Sequence, residues 1–282
     1  VATVSAIVLV CAVPVFVDVD WDQNINPAFI PQSITKRTKA IVAVHLTGKP
    51  AKMDKICATA KKHKLIVIED AAQAVGAEYK GKKVGNWGDF GCFSMHPLKN
   101  LNACGDAGMI TVKNKEWADK LRILRNIGLR DRDTCLEVSG NSRLDELQAA
   151  LLRVKLKYLE NITKKRRKYA KIYDEKLRGI VTVPVDTLNG RYVYQTYIIQ
   201  TDRRDELKKF LARKGIDCKI HYPKAIHQHA PFAKYAGNVQ LPVTNGIVER
   251  ILSLPIEQGL THAQINYVAD QIISFFNFYN KI

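Results

Sequence analysis

Two hydrophobic rhythms take turns along the chain, one of period two and one of period three to four. Ala40-Ile41-Val42-Ala43-Val44 and the run from 65 to 69 are short, rich in β-branched residues and bounded by polar ones, so both read as buried strands. Between them Met53, Ile56 and Ala60 recur at helical spacing over 53 to 63. The basic residues of the last turn there suit the negative end of a helix dipole. Strand, helix, strand in this order predicts right-handed crossovers and a largely parallel sheet. Ahead of this unit, 3 to 12 reads as a helix and 14 to 19 (PVFVDV) as a strand, followed by an irregular stretch through Pro27 and Pro31. Gly91 to Met95 and Met109 to Val112 supply further short strands.

The second half changes character. Glu116 to Arg125 reads as a helix and 126 to 141 as a polar loop. Ser142-Arg143-Leu144-Asp145 has the form of a capping-box start, from which Leu144, Leu147, Leu151, Leu152 and Val154 continue an apolar helix face. A second helix spans about 159 to 177. Strands over 192 to 200 and 217 to 221, a helix over 204 to 214 stopped by Gly215, and a last helix over 262 to 279 follow. The pattern predicts an α/β fold: a large domain over 1–157 built on a mostly parallel sheet, and a smaller α+β domain over 158–282.

Composition narrows the class. A chain of 282 residues, 46% hydrophobic and 25% charged, can bury one large core or two modest ones and carries no sign of disorder. The 44 Lys and Arg against 27 Asp and Glu leave a net +17, which suits anionic partners or merely solvated helix faces. The longest basic run, Lys164-Lys165-Arg166-Arg167-Lys168, lies inside a helical pattern and reads as a solvated face. No groove-reading motif or interleaved aromatic pattern accompanies the charge, so nucleic acid is not an expected partner. No G-x-G-x-x-G follows a strand, which argues against a nicotinamide-binding enzyme. Six cysteines (11, 57, 92, 104, 135 and 218) form neither a CxxC pair nor a zinc spacing, and fit reduced thiols in the cytoplasm. The apolar start lacks a basic leading region, is broken by Pro14 and is shorter than a membrane span, so no membrane association is expected. It reads instead as a helix entering a strand, in a sequence that lacks its first part.

The candidate chemistry centres on 66 to 108. Ile66-Val67-Ile68 runs into Glu69 and Asp70, and the carboxyl end of a parallel strand is where open α/β sheets place ligands. Neighbours on a strand point to opposite faces, so Glu69 and Asp70 have separate tasks, Glu69 a structural one. Lys99 lies in a loop-like His-Pro-Leu-Lys-Asn context, and burial near an acid would tune its amine for imine chemistry. Ser94 offers a hydroxyl to an anion, and Asn141 and Arg143 stand at a helix start, a natural anion site. His221, His227 and His229 cluster, but no carboxylate completes a metal set, and no metal is expected.

The blocks EDAAQA (69–74), FSMHPLKNL (93–101), GDAG (105–108), GNSRLDELQAALL (140–152), HYPKAIH (221–227) and LSLP (252–255) occur in one order along nearly the whole chain. Together they resemble the DegT/DnrJ/EryC1/StrS family of sugar aminotransferases, which use pyridoxal 5'-phosphate on the aspartate-aminotransferase fold, fold type I. The resemblance implies Lys99 as the Schiff-base lysine and Asp70 as partner of the pyridine nitrogen, with Gln73 against the ring and Ser94 on the phosphate. It implies that Asn141 reaches the cofactor of a neighbouring subunit, hence a homodimer with shared active sites. His96, Arg143, His221, Tyr222 and His227 then become candidate contacts for a nucleotide-sugar substrate. The implied reaction moves an amino group from an amino acid, by family habit glutamate, to a keto-deoxysugar, for a surface polysaccharide or a glycoside. Two alternatives stand beside it: a pyridoxamine-dependent sugar dehydratase, which would carry His where Lys99 stands, and a non-catalytic or regulatory member of the fold. The family's Gly-Thr phosphate turn and its ring-stacking aromatic lie upstream of Val1.

Overall fold

The computed structural model describes residues 1–186 and 189–279. It opens with α1 (Ala2–Leu9), an irregular stretch and the short α2 (Ile30–Ser33), before β1 (Ala40–Val44), α3 (Met53–His63) and β2 (Ile66–Asp70). A small hairpin of β3 (Glu78–Tyr79) and β4 (Lys82–Lys83) precedes β5 (Phe90–Ser94), the lysine loop, β6 (Gly108–Val112) and α4 (Lys115–Leu124). Two helices, α5 (Glu146–Leu156) and α6 (Leu159–Leu177), lead to β7 (Gly190–Arg191) and β8 (Tyr197–Gln200). The chain ends with α7 (Arg204–Arg213), α8 (Ala230–Ala233), α9 (Pro242–Arg250), β9 (Ile251–Leu254) and α10 (His262–Tyr279).

The main sheet has the order β1-β2-β5-β6, with β1, β2 and β5 parallel and β6 antiparallel at the edge. Burial alternates along β1 and β2, as period two requires. Ile41, Ala43 and Val67 face Met53, Ile56 and Ala60 of α3 in one core cluster. Asp54 in the first turn of α3 and Lys61, Lys62 and His63 in its last complement the dipole, and left-handed Lys64 closes it. A larger core gathers Tyr169, Tyr173 and Leu177 of α6, Leu207 and Leu211 of α7, and Ile265, Ala269 and Ile272 of α10 around the β8–β9 ribbon.

Several expectations need correction. Residues 14–19 are not a strand: only Val19 bridges to Ile25, and Pro14 and the polar partners of Asp18 hold the segment irregular. The first helix stops at Leu9, because Cys11 takes a left-handed backbone. Ser142 does not cap; Asp145 is the N-cap of α5 and makes no side-chain cap bond, while Ser142 N–H pairs with the Arg125 carbonyl. Of 192–200 only 197–200 is strand, and 217–221 contributes a single bridge, Lys219 to Ser253. The basic run is not wholly solvated. Arg166 is 6% exposed and points inward, while Lys164, Lys165 and Lys168 stay outside. All six cysteines are free. Among the described residues no helix is long and apolar enough to cross a membrane.

Asp18 ties the irregular N-terminal stretch to α9. Its carboxylate accepts from Val243 N–H at 3.0 Å, Thr244 N–H at 2.9 Å and the Thr244 hydroxyl at 2.6 Å, capping α9 from far along the chain. Burial alone would raise its pKa, but these bonds outweigh burial and hold it below the usual carboxylate range. A group depressed in the folded state stabilises above its unfolded pKa and loses that contribution as pH falls through the folded one. Asp18→Ala is therefore expected to lower stability by about 1–2 kcal/mol near neutral pH. Urea denaturation repeated down the acid range should show the gap from wild type closing as the wild-type carboxyl protonates.

Candidate active site

The site grows from the end of β2, where the pleat sends adjacent carboxylates in opposite directions. Glu69 is fully buried on the α3 face. Its Oε2 lies 3.0 Å from His45 Nε2 and accepts from Gly85 N–H at 2.8 Å, and its Oε1 accepts from Gly88 N–H at 2.7 Å. Ala51 N–H donates to His45 Nδ1 at 3.0 Å, so that nitrogen is unprotonated and Nε2 carries the proton given to Glu69. Burial pushes the Glu69 carboxyl up, yet these donors outweigh burial and keep it ionised below the usual range. The expected structural role of Glu69 is what the geometry displays.

Asp70 is half-buried on the other face. Its Oδ2 accepts from the Thr3 hydroxyl at 2.7 Å and its Oδ1 from Ala72 N–H at 3.1 Å, so both oxygens are held in place at the sheet's carboxyl edge. Lys99, in the loop after β5, comes into its field. Burial lowers the Lys99 ammonium below the ordinary lysine range, and the Asp70 charge partly opposes this. An amine so placed gives up its proton more readily than a surface lysine while staying beside its counter-charge.

Gln73 follows Asp70 in the turn. Thr47 N–H donates to its Oε1 at 2.6 Å, which fixes the amide so that Nε2 donates to Tyr222 Oη at 3.2 Å. Thr47 holds a left-handed backbone (φ 62°) and its hydroxyl meets that of Tyr192. Next to it Gly48, at φ +92°, is required: a Cβ there would stand 2.9 Å from Gln195 N and 3.0 Å from Gln73 O. His221 is half-buried with Nδ1 2.9 Å from Ser253 Oγ, and burial, then the charges of Lys219 and Lys99, lower its pKa and favour neutral imidazole. Asp70, Gln73, Lys99, His221 and Tyr222 are thus one neighbourhood.

The remaining candidates sit apart in varying degrees. Ser94 ends β5, and its Oγ accepts from His96 N–H at 3.3 Å. His96 caps its own turn, with Nδ1 accepting from Leu98 N–H at 3.2 Å. His227 packs its ring against Phe16, centroids 6.4 Å apart. Asn141 and Arg143 form an exposed cluster: Asn141 Oδ1 accepts from Arg143 N–H and Nε, and Arg143 Nη1 donates to Asn126 Oδ1. Among the described residues no hydrogen bond ties that cluster to Asp70 or Lys99. Sequence reasoning missed Thr3, His45, Thr47 and Gln195 as builders of the site. Only Gln195 left a signal, as a lone amide within the apolar run YVYQTYII.

The model of the DegT/DnrJ/EryC1/StrS aminotransferase family matches residues 1–273. The chain belongs to that family. It is 43% identical to a UDP-N-acetyl-3-dehydro-α-D-glucosamine 3-aminotransferase of Acidithiobacillus ferrooxidans, over 96% of this chain and 74% of the relative. It is 42% identical to a "pleiotropic regulatory protein" of Geobacillus stearothermophilus, over 98% of this chain and 76% of the relative. The crystal structure of Streptomyces venezuelae DesV in complex with a ketimine intermediate superposes with a TM-score of 0.91 at 37% identity, covering 94% of this chain and 72% of that one. The DegT/DnrJ/EryC1/StrS family is pyridoxal-phosphate dependent, and its fold is the type I transferase fold. The donor set fits that group: a fixed carboxylate for a protonated ring nitrogen, a desolvated amine beside it and, at Ser94, a hydroxyl that donates to no group among the described residues.

Glu69→Gln in this member of the family would turn one acceptor oxygen into a donor facing either His45 Nε2–H and Gly85 N–H together or Gly88 N–H. The expected cost is about 2–4 kcal/mol, because a buried donor is left without an acceptor. Thermal denaturation should show a drop of several degrees, with Asp70 untouched on the opposite face.

Proposed function

We propose that the chain is a nucleotide-sugar aminotransferase that takes the amino group of glutamate and delivers it to a ketone on a nucleotide-linked deoxysugar. The carrying observation is Lys99, desolvated and set in the field of Asp70 at the carboxyl edge of a parallel sheet. The UDP-sugar aminotransferase named above, and relatives named as transaminases of dTDP-linked sugars, support the substrate class. The net +17 charge supports a ligand set rich in phosphate.

When bound, pyridoxal phosphate supplies an electron-withdrawing ring and a carbonyl that condenses with amines. Asp70 would keep the ring nitrogen protonated, held for that by the Thr3 hydroxyl and the Ala72 N–H. Lys99 would anchor the carbonyl end and, once released by the incoming amine, move the proton at the donor's Cα, a task suited to a lowered amine pKa. Ser94 would donate to the phosphate. Gln73, its amide fixed by Thr47, would lie along the ring hydroxyl side. His221 and Tyr222, beside Lys99 and Gln73, would meet the sugar, and His96 and His227 would add contacts to the same substrate. Asn141 and Arg143, exposed and self-contained here, would reach the site of a second subunit in a homodimer. We divide the chain near 157 into a cofactor-holding and a covering domain. Cytoplasmic work on an amino sugar bound for a surface polysaccharide completes the reading, and six free thiols suit that compartment.

A regulatory reading is favoured by one observation, the name of the Geobacillus relative. Absorbance of the natural full-length protein with pyridoxal phosphate separates the two. The aminotransferase is expected to show a band near the visible edge that borohydride traps on Lys99, that glutamate bleaches and that Lys99→Ala lacks. No band in either protein would leave the regulatory reading standing.

Asp70→Asn should keep the band and lose turnover by roughly a hundredfold or more, since the stabilising charge is removed while the amine stays. Single-turnover bleaching by glutamate measures this directly.

A further inference from the structure

Lys99 occupies a turn, with no helix or strand to hold it. The backbone on both its sides is gripped from another part of the molecule. Gln195 Nε2 donates to the Leu98 carbonyl at 2.7 Å, and Asn100 N–H donates to Gln195 Oε1 at 3.1 Å. One carboxamide therefore brackets the lysine. Its orientation is unambiguous, because a carbonyl can only accept and an N–H can only donate. Asn100 adds a second tie, Nδ2 to the Val193 carbonyl at 3.1 Å.

The clamp is itself anchored. Arg166 donates to the Tyr194 carbonyl at 2.9 Å, the Ile256 carbonyl at 2.6 Å and, more weakly, the Gln195 carbonyl at 3.4 Å. Burial brings that guanidinium down to about 10, with Glu257 opposing, so it stays charged through the neutral range. On the other flank, Val193 N–H donates to the Gly48 carbonyl and Thr196 N–H to the Thr47 carbonyl. Segment 193–196 is thus fixed to α6, to the turn after β1 and to the lysine loop at once.

We propose that Gln195 is the positioning residue for Lys99, holding the lysine turn so that the amine stays half-buried in the field of Asp70. The proposal rests on the reading of Lys99 as the reacting lysine. A four-carbon side chain on an untethered turn would spend most of its time in water, away from its counter-charge and from any bound carbonyl. A bidentate amide removes that freedom without placing a second reactive group in the site. The titratable groups in the Lys99 field are Asp70 on β2 and His221 near β9; Gln195→Leu alters neither and adds no charge, whereas Gln195→Glu adds a carboxylate of its own.

Gln195→Leu removes both bonds at nearly constant size, and Gln195→Glu keeps the acceptor for Asn100 while setting a carboxylate against the Leu98 carbonyl. Cofactor-free protein is read in two ways: hydrogen exchange at the Asn100 amide, and the pH profile of Lys99 acylation mapped by mass spectrometry. In Gln195→Leu the Asn100 amide should exchange at least about tenfold faster, and the Lys99 profile should move to higher pH as the amine reaches water. In Gln195→Glu the Asn100 amide should remain protected while the Lys99 profile moves. Loaded enzyme should lose roughly ten- to a hundredfold in kcat with little change in the KM for the amino donor. A folded Gln195→Leu protein with both readouts at wild-type values overturns the clamp. If Gln195→Leu does not fold, an unmoved Lys99 profile in Gln195→Glu does so. Absence of any cofactor on Lys99 in the wild type would remove the proposed reaction instead, and the exchange and acylation data would still decide the clamp.

Discussion

A carboxylate sealed away from water must collect donors or give up its charge, and Glu69 collects them. His45 comes from the end of β1, Gly85 and Gly88 from the loop before β5, and all converge on one pair of oxygens. Satisfying that charge ties neighbouring strands and two loops into one rigid edge. Because the strand pleat alternates, the same constraint leaves Asp70 on the far face, where Thr3 and Ala72 fix the orientation of its carboxyl group. Structure and chemistry are split between two adjacent residues by backbone geometry alone.

Amides perform the corresponding task for the loops. Asn24 accepts from Leu46 N–H and donates to the Lys49 carbonyl, bracing the turn that carries Thr47 and Gly48. Gln73 reads Thr47 and Tyr222, and Gln195 reads Leu98 and Asn100. A carboxamide offers a donor and an acceptor in one plane without net charge, so it can close a backbone gap inside a site that already holds a lysine and an aspartate. Arg166 of α6 acts in the same way, using a charge where several carbonyls must be held together.

Strong periodicity was legible before any coordinates. The strand at 40–44 and the helices at 53–63 and 159–177 appear where the pattern predicts them, and the strand expected over 65–69 runs one residue later, over 66–70. The failures have local causes. PVFVDV alternates like a strand, but Asp18 is consumed as a remote cap for α9, and the segment follows that cap instead of pairing. Ser142 has the residue types of a capping box, but its N–H is drawn to Arg125, and the helix starts three residues later. The basic run has the composition of a surface, yet one guanidinium in it faces a cluster of carbonyls that only the folded ribbon assembles.

Period and local chemistry in the sequence alone determined the strand–helix–strand rhythm, the opposed faces of Glu69 and Asp70, and the family to which the ordered motifs point. These depend on residues close along the chain, where backbone geometry leaves few choices. Tertiary structure alone decided that Lys99 comes to lie beside Asp70, that Gln195 spans its loop, that Gln73 faces Tyr222, and that Asn141 with Arg143 stays outside. Each of these joins residues distant in sequence, and a hydrogen bond between distant residues is specified by packing, which no local pattern encodes.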